Sequence, residues 1–291
     1  MKKTKTWLVN LLFGISLVIV CLVLSEIFLF ASFYVPTNSM EPTIKQGDYV
    51  LVNKLIPGPR LFNIFATLHL KQTNIYRPLG LKKLQHNDVV VFNNPYPRSK
   101  DTLELHILNY FVKRCIGLPG DSLQIINGIY QVKGFNSSLG NKEAQEQLVL
   151  YLKNSPQSIR NEYHTQGYPN DSTFSWDILN FGTLYIPKTG DNLSLTYQNY
   201  ILYHKLIEWE EKSILEYHDS TTYLNHKPIQ SYTFKKNYYF MAGDYSISSN
   251  DSRYWGLVPE EYIVGKVCLI WKSVNIYNNH IRWKRFMKKV R

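Results

Sequence analysis

A long apolar run near the N-terminus constrains this chain more than any other feature of its sequence. Residues 7–24 carry no charge, and Glu26 is the single charged residue between Trp7 and Val35. About 20 mostly apolar residues suffice for a helix to cross the hydrocarbon core of a bilayer. We therefore predict one membrane-spanning helix within an N-terminal segment of residues 1–33, and no second run approaches this length.

A cleaved secretory signal is the alternative interpretation of the run. Cleavable signals have a shorter apolar region and a small-x-small site, which residues 31–33 (Ala-Ser-Phe) match poorly. Lys2, Lys3 and Lys5 precede the run, whereas little positive charge directly follows it. The positive-inside rule therefore places the N-terminus in the cytoplasm and the residues after Phe33 outside it.

The formal net charge of +11 bears on the partners of the chain. A basic balance suits nucleic acid, an anionic membrane surface or an acidic protein. The sequence has no nucleic-acid-binding motif, and part of the positive charge lies in residues 2–5 and 284–291. We expect contact with membrane lipid and no binding of nucleic acid.

Short runs rich in Tyr, Val, Ile and Phe predict a mainly β fold. An early and a late group of strands are interpreted as one β domain made of residues 34–130 and 232–275. The strands are expected at residues 49–52, 88–92, 105–116, 238–242 and 263–271. Asn127-Gly128 predicts the tip of a hairpin over residues 121–130.

The intervening residues 131–231 have a different character, because Asn, Ser and Gln are frequent there. Helices are expected near residues 141–153 and 198–214, and a further hairpin near 223–234. We interpret this region as an inserted α+β domain. Residues 276–291 are expected to form a basic, helix-like tail that either touches anionic lipid or is solvated.

Ser39 lies in a turn between Pro36 and Pro42, shortly after the apolar run. A turn stiffened in this way holds a serine on an exposed backbone and can aim N–H groups at a developing oxyanion. Serine and proline are also ordinary turn residues, so a plain surface turn is the simpler interpretation of this segment alone.

Lys113 lies in the strand expected at residues 105–116. Strand alternation places Phe111, Lys113 and Cys115 on one face and Arg114 on the other. Burial on an apolar face lowers the pKa of a lysine and makes its amine a usable general base. A lysine whose amine extends to solvent is the alternative.

Residues 241–259 are dense in Gly, Asp and Ser, which predicts a structured loop after a strand. Asp251 and Arg253 can pair and fix this loop. Several hydroxyl groups are available there to orient a neighbouring amine. A hydrogen-bonded turn without a catalytic part is the alternative.

The three segments together resemble the bacterial signal peptidase I (leader peptidase) family. The matching residues are the S-M-x-P-T of 39–43 with Gly47-Asp48, the K-R-x-x-G-L-P-G-D of 113–121, and the G-D and S-x-D-S-R-Y-W-G of 243–256. They follow a membrane span in the order of the family. The resemblance implies a mainly β, signal-peptidase-type catalytic core with an inserted α+β domain and one N-terminal transmembrane helix. Motifs within residues 176–188 are similar to the long insert of Bacteroidetes-type members.

The resemblance implies a serine endopeptidase with a Ser/Lys dyad. Ser39 matches the nucleophile and Lys113 the general base, while Ser249 matches the hydroxyl that orients the lysine amine. Thr37 matches the side chain that assists the backbone N–H of Ser39 in the oxyanion hole. No histidine lies in the three segments, so a Ser-His-Asp triad is the less expected arrangement.

Other matching positions bind the substrate in the family or support the site. Shallow apolar pockets that accept small side chains, as in Ala-x-Ala before the cut, are expected from Phe33, Val35, Pro36, Val50 and Val112. Asp251 and Arg253 match structural loop residues, and Asp244 and Arg114 are expected to form a supporting ion pair.

Three residues depart from the pattern of the family and leave the shape of the pocket and the oxyanion hole open. They are Asn38, Tyr245 and Ser246. Cys115 and Cys268 are either bonded to each other outside the cytoplasm or remain two buried thiols.

The implied substrates are the signal peptides of secreted preproteins, cut near the protein export machinery. The resemblance places the chain in the inner (cytoplasmic) membrane, with the catalytic domain on the periplasmic or extracytoplasmic side. No metal or cofactor is implied, because the sequence has no ligand cluster and the dyad needs none.

Two other classes of protein fit parts of the sequence. An anchored β protein that binds exported chains without cutting them is disfavoured by the intact set of Ser39, Lys113 and Ser249. A self-cleaving Ser/Lys peptidase of the repressor type is soluble and binds DNA, so the membrane span and the missing helix-turn-helix pattern disfavour it. A partner that binds the inserted domain is compatible with the peptidase interpretation.

Overall fold

Strands outnumber helices among the described elements beyond the first helix, as the sequence predicts. The computed structural model describes residues 2–63, 65–66, 75–98, 102–165 and 167–290. The helices whose full extent is described are α1 (Lys2–Phe28), α2 (Lys142–Asn154), α3 (Gln157–Thr165), α4 (Tyr197–Glu211) and α5 (Ser252–Trp255). The strands are β1 (Phe30–Tyr34), β2 (Asp48–Asn53), β3 (Val89–Asn93), β4 (Tyr110–Gly117), β5 (Ser122–Ile126), β6 (Ile129–Val132), β7 (Phe181–Tyr185), β8 (Asn192–Ser194), β9 (Leu215–His218), β10 (Thr221–Leu224), β11 (Lys227–Ile229), β12 (Ser231–Thr233), β13 (Tyr238–Ala242), β14 (Val258–Pro259), β15 (Ile263–Ser273) and β16 (Lys288–Lys289).

Helix α1 is long and apolar enough to cross a membrane. Its stretch Val9–Phe28 has a mean hydropathy of 2.6, and none of it is buried against the rest of the described chain. The apolar run continues past the helix, but residues 30–34 form strand β1, which pairs with β2. Residues 30–33, which the sequence assigned to the anchor, therefore belong to the β sheet. The Nζ atom of Lys54 donates to the Glu26 carbonyl, 2.6 Å away, and ties the end of the helix to the sheet.

The largest sheet has the strand order β1-β2-β15-β3-β4-β13-β14, with β16 paired to β15, and all neighbours are antiparallel. Strands β2, β15 and β3 lie between β1 and β4 in this order. The rings of Phe33 on β1 and Tyr110 on β4 are nevertheless 4.9 Å apart. The sheet therefore curls on itself and brings the end of β1 close to β4.

The hairpin predicted over residues 121–130 is β5–β6. It turns at Asn127 and Gly128, whose φ angles of 49° and 79° suit an Asn-Gly turn.

Residues 131–231 contain helices α2 and α4 near the predicted places and the hairpin β10–β11 near the predicted one, together with α3, β7, β8 and β9, which the sequence does not predict. Helix α2 begins at the cap Asn141, whose side chain accepts from the Ala144 N–H. Helix α4 follows the cap Thr196 in the same way.

One hydrophobic core joins residues 131–231 to the largest sheet. Phe92 and Ile116 of β3 and β4 pack in the same buried cluster as Leu184, Ile186 and Leu202 of the insert. Strand β7 of the insert also pairs with β5. The region is thus packed onto the sheet through shared apolar side chains, and its main core is not separate from that of the sheet.

The segment after residue 276 differs from the helix-like tail that the sequence predicts. It forms a 3₁₀ turn at Trp283–Arg285 and then β16, where Lys288 and Lys289 pair with Ile270 and Leu269 of β15. The tail forms a strand because part of one edge of β15 is free to pair with it. Strand β3 pairs with β15 over Ile263–Lys266 only. Pairing there satisfies backbone groups that a short, isolated helix would leave to water.

The strand expected at residues 105–116 is shorter at its start than predicted, because β4 begins at Tyr110. Residues 105–109 form a turn instead, closed by a hydrogen bond from the Asn109 N–H to the His106 carbonyl, 3.1 Å long. Lys113 remains in the middle of the strand.

Candidate active site

Ser39 is held in a loop that connects β1 to β2. Backbone hydrogen bonds close the base of this loop, from the Val35 N–H to the Asp48 carbonyl and from the Gly47 N–H to the Val35 carbonyl, each 2.9 Å. Met40 and Ile44 are buried in the core and anchor the loop from within. Ser39 itself is 7% exposed. The loop is thus a packed structure, and the serine lies at its inner edge.

Lys113 on β4 reaches Ser39 from the other side of the curled sheet. The Nζ atom of Lys113 lies 2.6 Å from the Oγ atom of Ser39, within hydrogen-bond distance. The lysine is 4% exposed, and its Nζ atom lies 5.5 Å from the centre of the Phe111 ring. The strand alternation predicted from the sequence is confirmed here, since Lys113 points inward with Phe111.

The surroundings of Lys113 favour its neutral form. Burial lowers the pKa of the Lys113 amine to about 8, from an ordinary value of 10.5. The carboxylate of Asp251 raises this pKa, the guanidinium of Arg253 lowers it, and the carboxylate of Asp244 raises it by a smaller amount. An appreciable fraction of the amine is therefore neutral near pH 8 and able to accept the proton of a serine hydroxyl.

The loop after β13 is shaped by a buried ion pair between Asp251 and Arg253. The Nε atom of Arg253 lies 2.8 Å from Oδ1 of Asp251, and both side chains are closed off from solvent. Asp251 Oδ2 also accepts from the Gly243 N–H at 2.9 Å, and Arg253 donates to the Ser246 carbonyl at 3.0 Å. The predicted pair is confirmed, and its contacts fold the loop back on itself.

Gly243 allows this loop to approach Ser39 closely. A Cβ atom built on Gly243 would overlap the side chain of Ser249 and would lie 2.6 Å from the Ser39 carbonyl oxygen. That carbonyl accepts a hydrogen bond from the Tyr245 N–H, 3.0 Å long. The backbone of Ser39 is therefore held against the loop at a place where a larger residue than Gly243 does not fit.

A second buried ion pair joins all three segments. Arg114 donates to Asp244 through two bonds of 2.6 Å each, in the bidentate geometry that suits a guanidinium and a carboxylate. Arg114 also donates to the Asn87 carbonyl at 2.7 Å and to the Thr43 hydroxyl at 3.3 Å. The supporting pair expected from the sequence is confirmed, and it links the strand of Lys113 to the loops on either side.

Two predicted site residues do not make the contacts expected of them in this structure. Ser249 is buried beside Gly243, but its Oγ atom has no hydrogen-bond partner among the described residues, Lys113 included. Thr37 is exposed, two residues before the nucleophile. Their roles in orienting the amine and in the oxyanion hole stay predictions.

The five residues predicted to line substrate pockets fall into two groups. Phe33 and Val112 are partly buried and Pro36 is exposed, so part of each side chain faces solvent. Val35 and Val50 are 3% and 0% exposed and belong to the hydrophobic core. Phe33, Pro36 and Val112 thus stay predicted pocket residues, whereas Val35 and Val50 are core residues in this structure and do not line a surface.

The three cysteines are free thiols, and Cys115 is buried while Cys21 is exposed. The sequence leaves open whether Cys115 and Cys268 are bonded to each other, and in this structure they are not. Among the described residues, no group of three or more His, Cys, Asp or Glu side chains is arranged to hold a metal ion.

Two residues next to the nucleophile loop have contacts that the sequence does not predict. Asp48 is fully buried and pairs with Arg285, whose Nη2 atom lies 2.5 Å from Oδ2 of Asp48. The sequence matches Gly47-Asp48 to a family motif but gives no role for the carboxylate, and it predicts Arg285 in a solvated or lipid-bound tail. A carboxylate at the start of a half-buried strand is the one sequence signal that points to a hidden cation.

The comparisons with known proteins agree on one family. Residues 6–272 match the family model described as signal peptidase, peptidase S26. Signal peptidase I of Buchnera aphidicola subsp. Schizaphis graminum is 27% identical over 263 residues, which are 89% of this chain and 74% of that protein. Signal peptidase I of Pseudomonas aeruginosa is 29% identical over 256 residues, which are 84% of this chain and 66% of that protein.

A similar solved structure is the crystal structure of a signal peptidase I from Enterococcus faecalis. It is 22% identical in sequence, with a TM-score of 0.29, and the match covers 64% of this chain and 98% of that chain.

Proposed function

This chain belongs to the signal peptidase family, peptidase S26, and we propose that it removes signal peptides from exported preproteins with a dyad of Ser39 and Lys113. The observation that carries the proposal is the 2.6 Å contact between Lys113 Nζ and Ser39 Oγ, both in buried side chains. A serine hydroxyl is a weak nucleophile and needs a base beside it. Lys113 is the base that lies within reach of its proton.

The first half of the reaction forms an acyl-enzyme. The neutral amine of Lys113 takes the hydroxyl proton of Ser39 while Oγ forms a bond with the carbonyl carbon of the scissile peptide. The carbonyl oxygen becomes an oxyanion, for which we propose the Ser39 N–H and the Thr37 hydroxyl as donors. The carbon–nitrogen bond then breaks, and the Lys113 ammonium gives its proton to the departing amine, which is the new N-terminus of the mature protein.

The second half of the reaction releases the signal peptide. Water attacks the ester carbon as Lys113 accepts a proton from it. The bond between Oγ and the carbon breaks, and the proton returns to Ser39. Because Lys113 starts and ends each half in its neutral form, the lowered pKa of this amine matters for both steps.

A preference for small side chains in the substrate is implied by the family resemblance. Phe33 and Val112 are partly buried and Pro36 is exposed, and the rings of Phe33 and Tyr110 lie 4.9 Å apart. We propose that these residues line a shallow apolar approach to Ser39 and that the chain cuts after a small-x-small sequence such as Ala-x-Ala.

Helix α1 places this site beside a membrane in our proposal. The helix ends at Phe28, and Ser39 follows it by 11 positions in the chain. With Lys2, Lys3 and Lys5 in the cytoplasm, the catalytic sheet lies on the outer side of the inner membrane. A preprotein that emerges from the export machinery there presents the end of its signal peptide to the dyad.

Cleavage of a defined peptide tests the proposal. The detergent-solubilised chain is incubated with a peptide containing Ala-x-Ala and with a matched peptide in which Phe replaces the second Ala, and the products are identified by mass. We expect one cut after the second Ala, no cut in the Phe peptide, and no product with Ser39→Ala. If the folded chain leaves the Ala peptide intact while a verified signal peptidase cuts it, the proposed function is wrong.

A further inference from the structure

The loop that carries Ser39 is fastened on its return side by a segment far away in the chain. Asp48, at the end of this loop, is 0% exposed, and its Oδ2 atom accepts from the Lys45 N–H at 2.8 Å. Both Nε and Nη2 of Arg285 donate to the same carboxylate, at 3.1 Å and 2.5 Å. A buried carboxylate needs a cation with good geometry, and Arg285 supplies it.

The arginine also reaches the backbone of the loop. Nη2 of Arg285 donates to the Thr43 carbonyl at 3.0 Å, and Nη1 of Arg282 donates to the Gln46 carbonyl at 2.9 Å. Two carbonyl oxygens of the loop thus accept from one short segment. The loop has no strand partner over these residues, so the two guanidinium groups take the place of a neighbouring strand.

The segment is itself fixed to the sheet, which lets it hold the loop in place. Strand β16 follows Arg285 by three residues and pairs with β15. Val290 packs against the core that also contains Met40 and Ile44 of the loop. Gly47 is pressed against Val274, which directly follows β15, because a Cβ atom on Gly47 would overlap the Val274 carbonyl.

We propose that Arg282, Arg285 and strand β16 act as a clamp that positions the nucleophile, with Arg285 as the positioning residue. This inference rests on the proposed role of Ser39. The contact at Thr43 is transmitted to Ser39 over one turn, because the Ile44 N–H donates to the Met40 carbonyl at 2.9 Å. Thr43 also accepts from Arg114, so the clamp and the Asp244 pair hold the same residue from two sides. Loss of the clamp lets Ser39 move relative to Lys113.

Kinetics of peptide cleavage by Arg285→Gln test the clamp, with Lys284→Gln as the matched control. Lys284 is the exposed neighbour in the same 3₁₀ turn, so its variant loses the same charge without touching the loop. We expect Arg285→Gln to lower kcat about 100-fold while KM changes about threefold or less, because a displacement near 1 Å costs about this much in rate. Lys284→Gln should match the wild type.

A conservative variant separates positioning from mere loss of charge. Arg285→Lys keeps a cation beside Asp48 but cannot also reach the Thr43 carbonyl. Its kcat should lie between those of the wild type and Arg285→Gln. If Arg285→Gln loses thermal stability but keeps the wild-type kcat, Arg285 has only a structural role and the clamp is refuted.

Removal of Arg285 alone takes away the nearer cation of the buried Asp48 carboxylate, leaving Arg282 Nη1 at 3.9 Å from Oδ1, and can prevent folding. The double variant Asp48→Asn/Arg285→Gln removes both charges and keeps the test possible. It should fold and show the same loss of kcat as Arg285→Gln, and a double variant with the wild-type kcat would refute the clamp.

Hydrogen exchange of residues 37–48 decides the clamp without any cleavage. We expect faster amide exchange in this loop for Arg285→Gln and for the double variant, and unchanged exchange for Lys284→Gln. Unchanged exchange in all variants would overturn the clamp even if the wild type cuts the peptide. Faster exchange in a chain that does not cut the peptide would keep the clamp and overturn the proposed function.

Discussion

The Nζ atom of Lys113 lies 2.6 Å from the Oγ atom of Ser39, although 74 positions separate the two residues in the chain. Ser39 follows β1, and Lys113 lies on β4, with three strands between them in the sheet. Curling of the sheet makes the contact possible, and burial of both groups makes it useful for chemistry.

The rate of cleavage should rise with pH through the titration of Lys113. The amine has to be neutral to accept the serine proton, and its pKa is lowered to about 8. We therefore expect kcat/KM to increase about tenfold per pH unit well below pH 8 and to level off above it. The measurement is kcat/KM for the Ala-x-Ala peptide from pH 6 to 10. A profile that is flat from pH 6 to 10 would exclude a lysine base.

Replacement of Lys113 by Met should stabilise the protein while it abolishes cleavage. The folded-state pKa lies below the unfolded value of 10.5, so the unfolded chain binds more protons and stability rises with pH between about 8 and 10.5. At pH 7 the folded wild type bears the full free-energy cost of burying a charged lysine, and Lys113→Met should raise the free energy of unfolding by about 1–3 kcal/mol. Chemical denaturation at pH 7 and pH 10 measures the free energy of unfolding of both proteins. The stability difference between the variant and the wild type should be smaller at pH 10.

Gly243→Ala should lower cleavage strongly, because its Cβ would overlap Ser249 and crowd the Ser39 carbonyl. We expect kcat/KM to fall about 100-fold as the nucleophile is displaced. Gly14→Ala is the control, since a Cβ there meets no heavy atom within 4 Å. Equal activity of both variants would show that the loop tolerates displacement at this point.

Asp251→Asn should destabilise the fold through an unpaired buried guanidinium. Asp251 and Arg253 are 0% and 1% exposed, and removal of one partner leaves the other charge without compensation. We expect a loss of about 3–5 kcal/mol in the free energy of unfolding. Glu146→Gln breaks the exposed pair with Lys142 and should change stability by about 0.5 kcal/mol or less. Similar losses for both variants would contradict this account of the loop.

Features that depend on neighbouring residues could be predicted from the sequence. Asn127-Gly128 predicts its hairpin because both residues accept positive φ, and alternation along β4 predicts that Lys113 points inward with Phe111. Each of these follows from a period or a turn that a few residues encode. The dyad, in contrast, was expected through family resemblance, since no local pattern joins Ser39 to Lys113.

Features that depend on distant partners could not be predicted in this way. The apolar residues of β1 look the same as those of a membrane helix, and pairing with β2 decides their structure. Arg285 lies 237 positions from Asp48, and its basic neighbours suggest a solvated tail. Whether the C-terminal residues form a helix or pair with β15 depends on the free edge that β15 has in the folded sheet. A short stretch of sequence does not describe that edge.

Cleavage by Lys113→Arg and Lys113→Ala tests the central claim most directly. Arginine keeps the charge and can donate to Ser39, but it stays protonated and cannot act as a base. With Lys142→Ala as the surface control and circular dichroism as the check of folding, both Lys113 variants should cut the Ala-x-Ala peptide about 10³-fold more slowly than the wild type at pH 8. If folded Lys113→Arg or Lys113→Ala keeps a rate within about tenfold of the wild type, Lys113 is not the base.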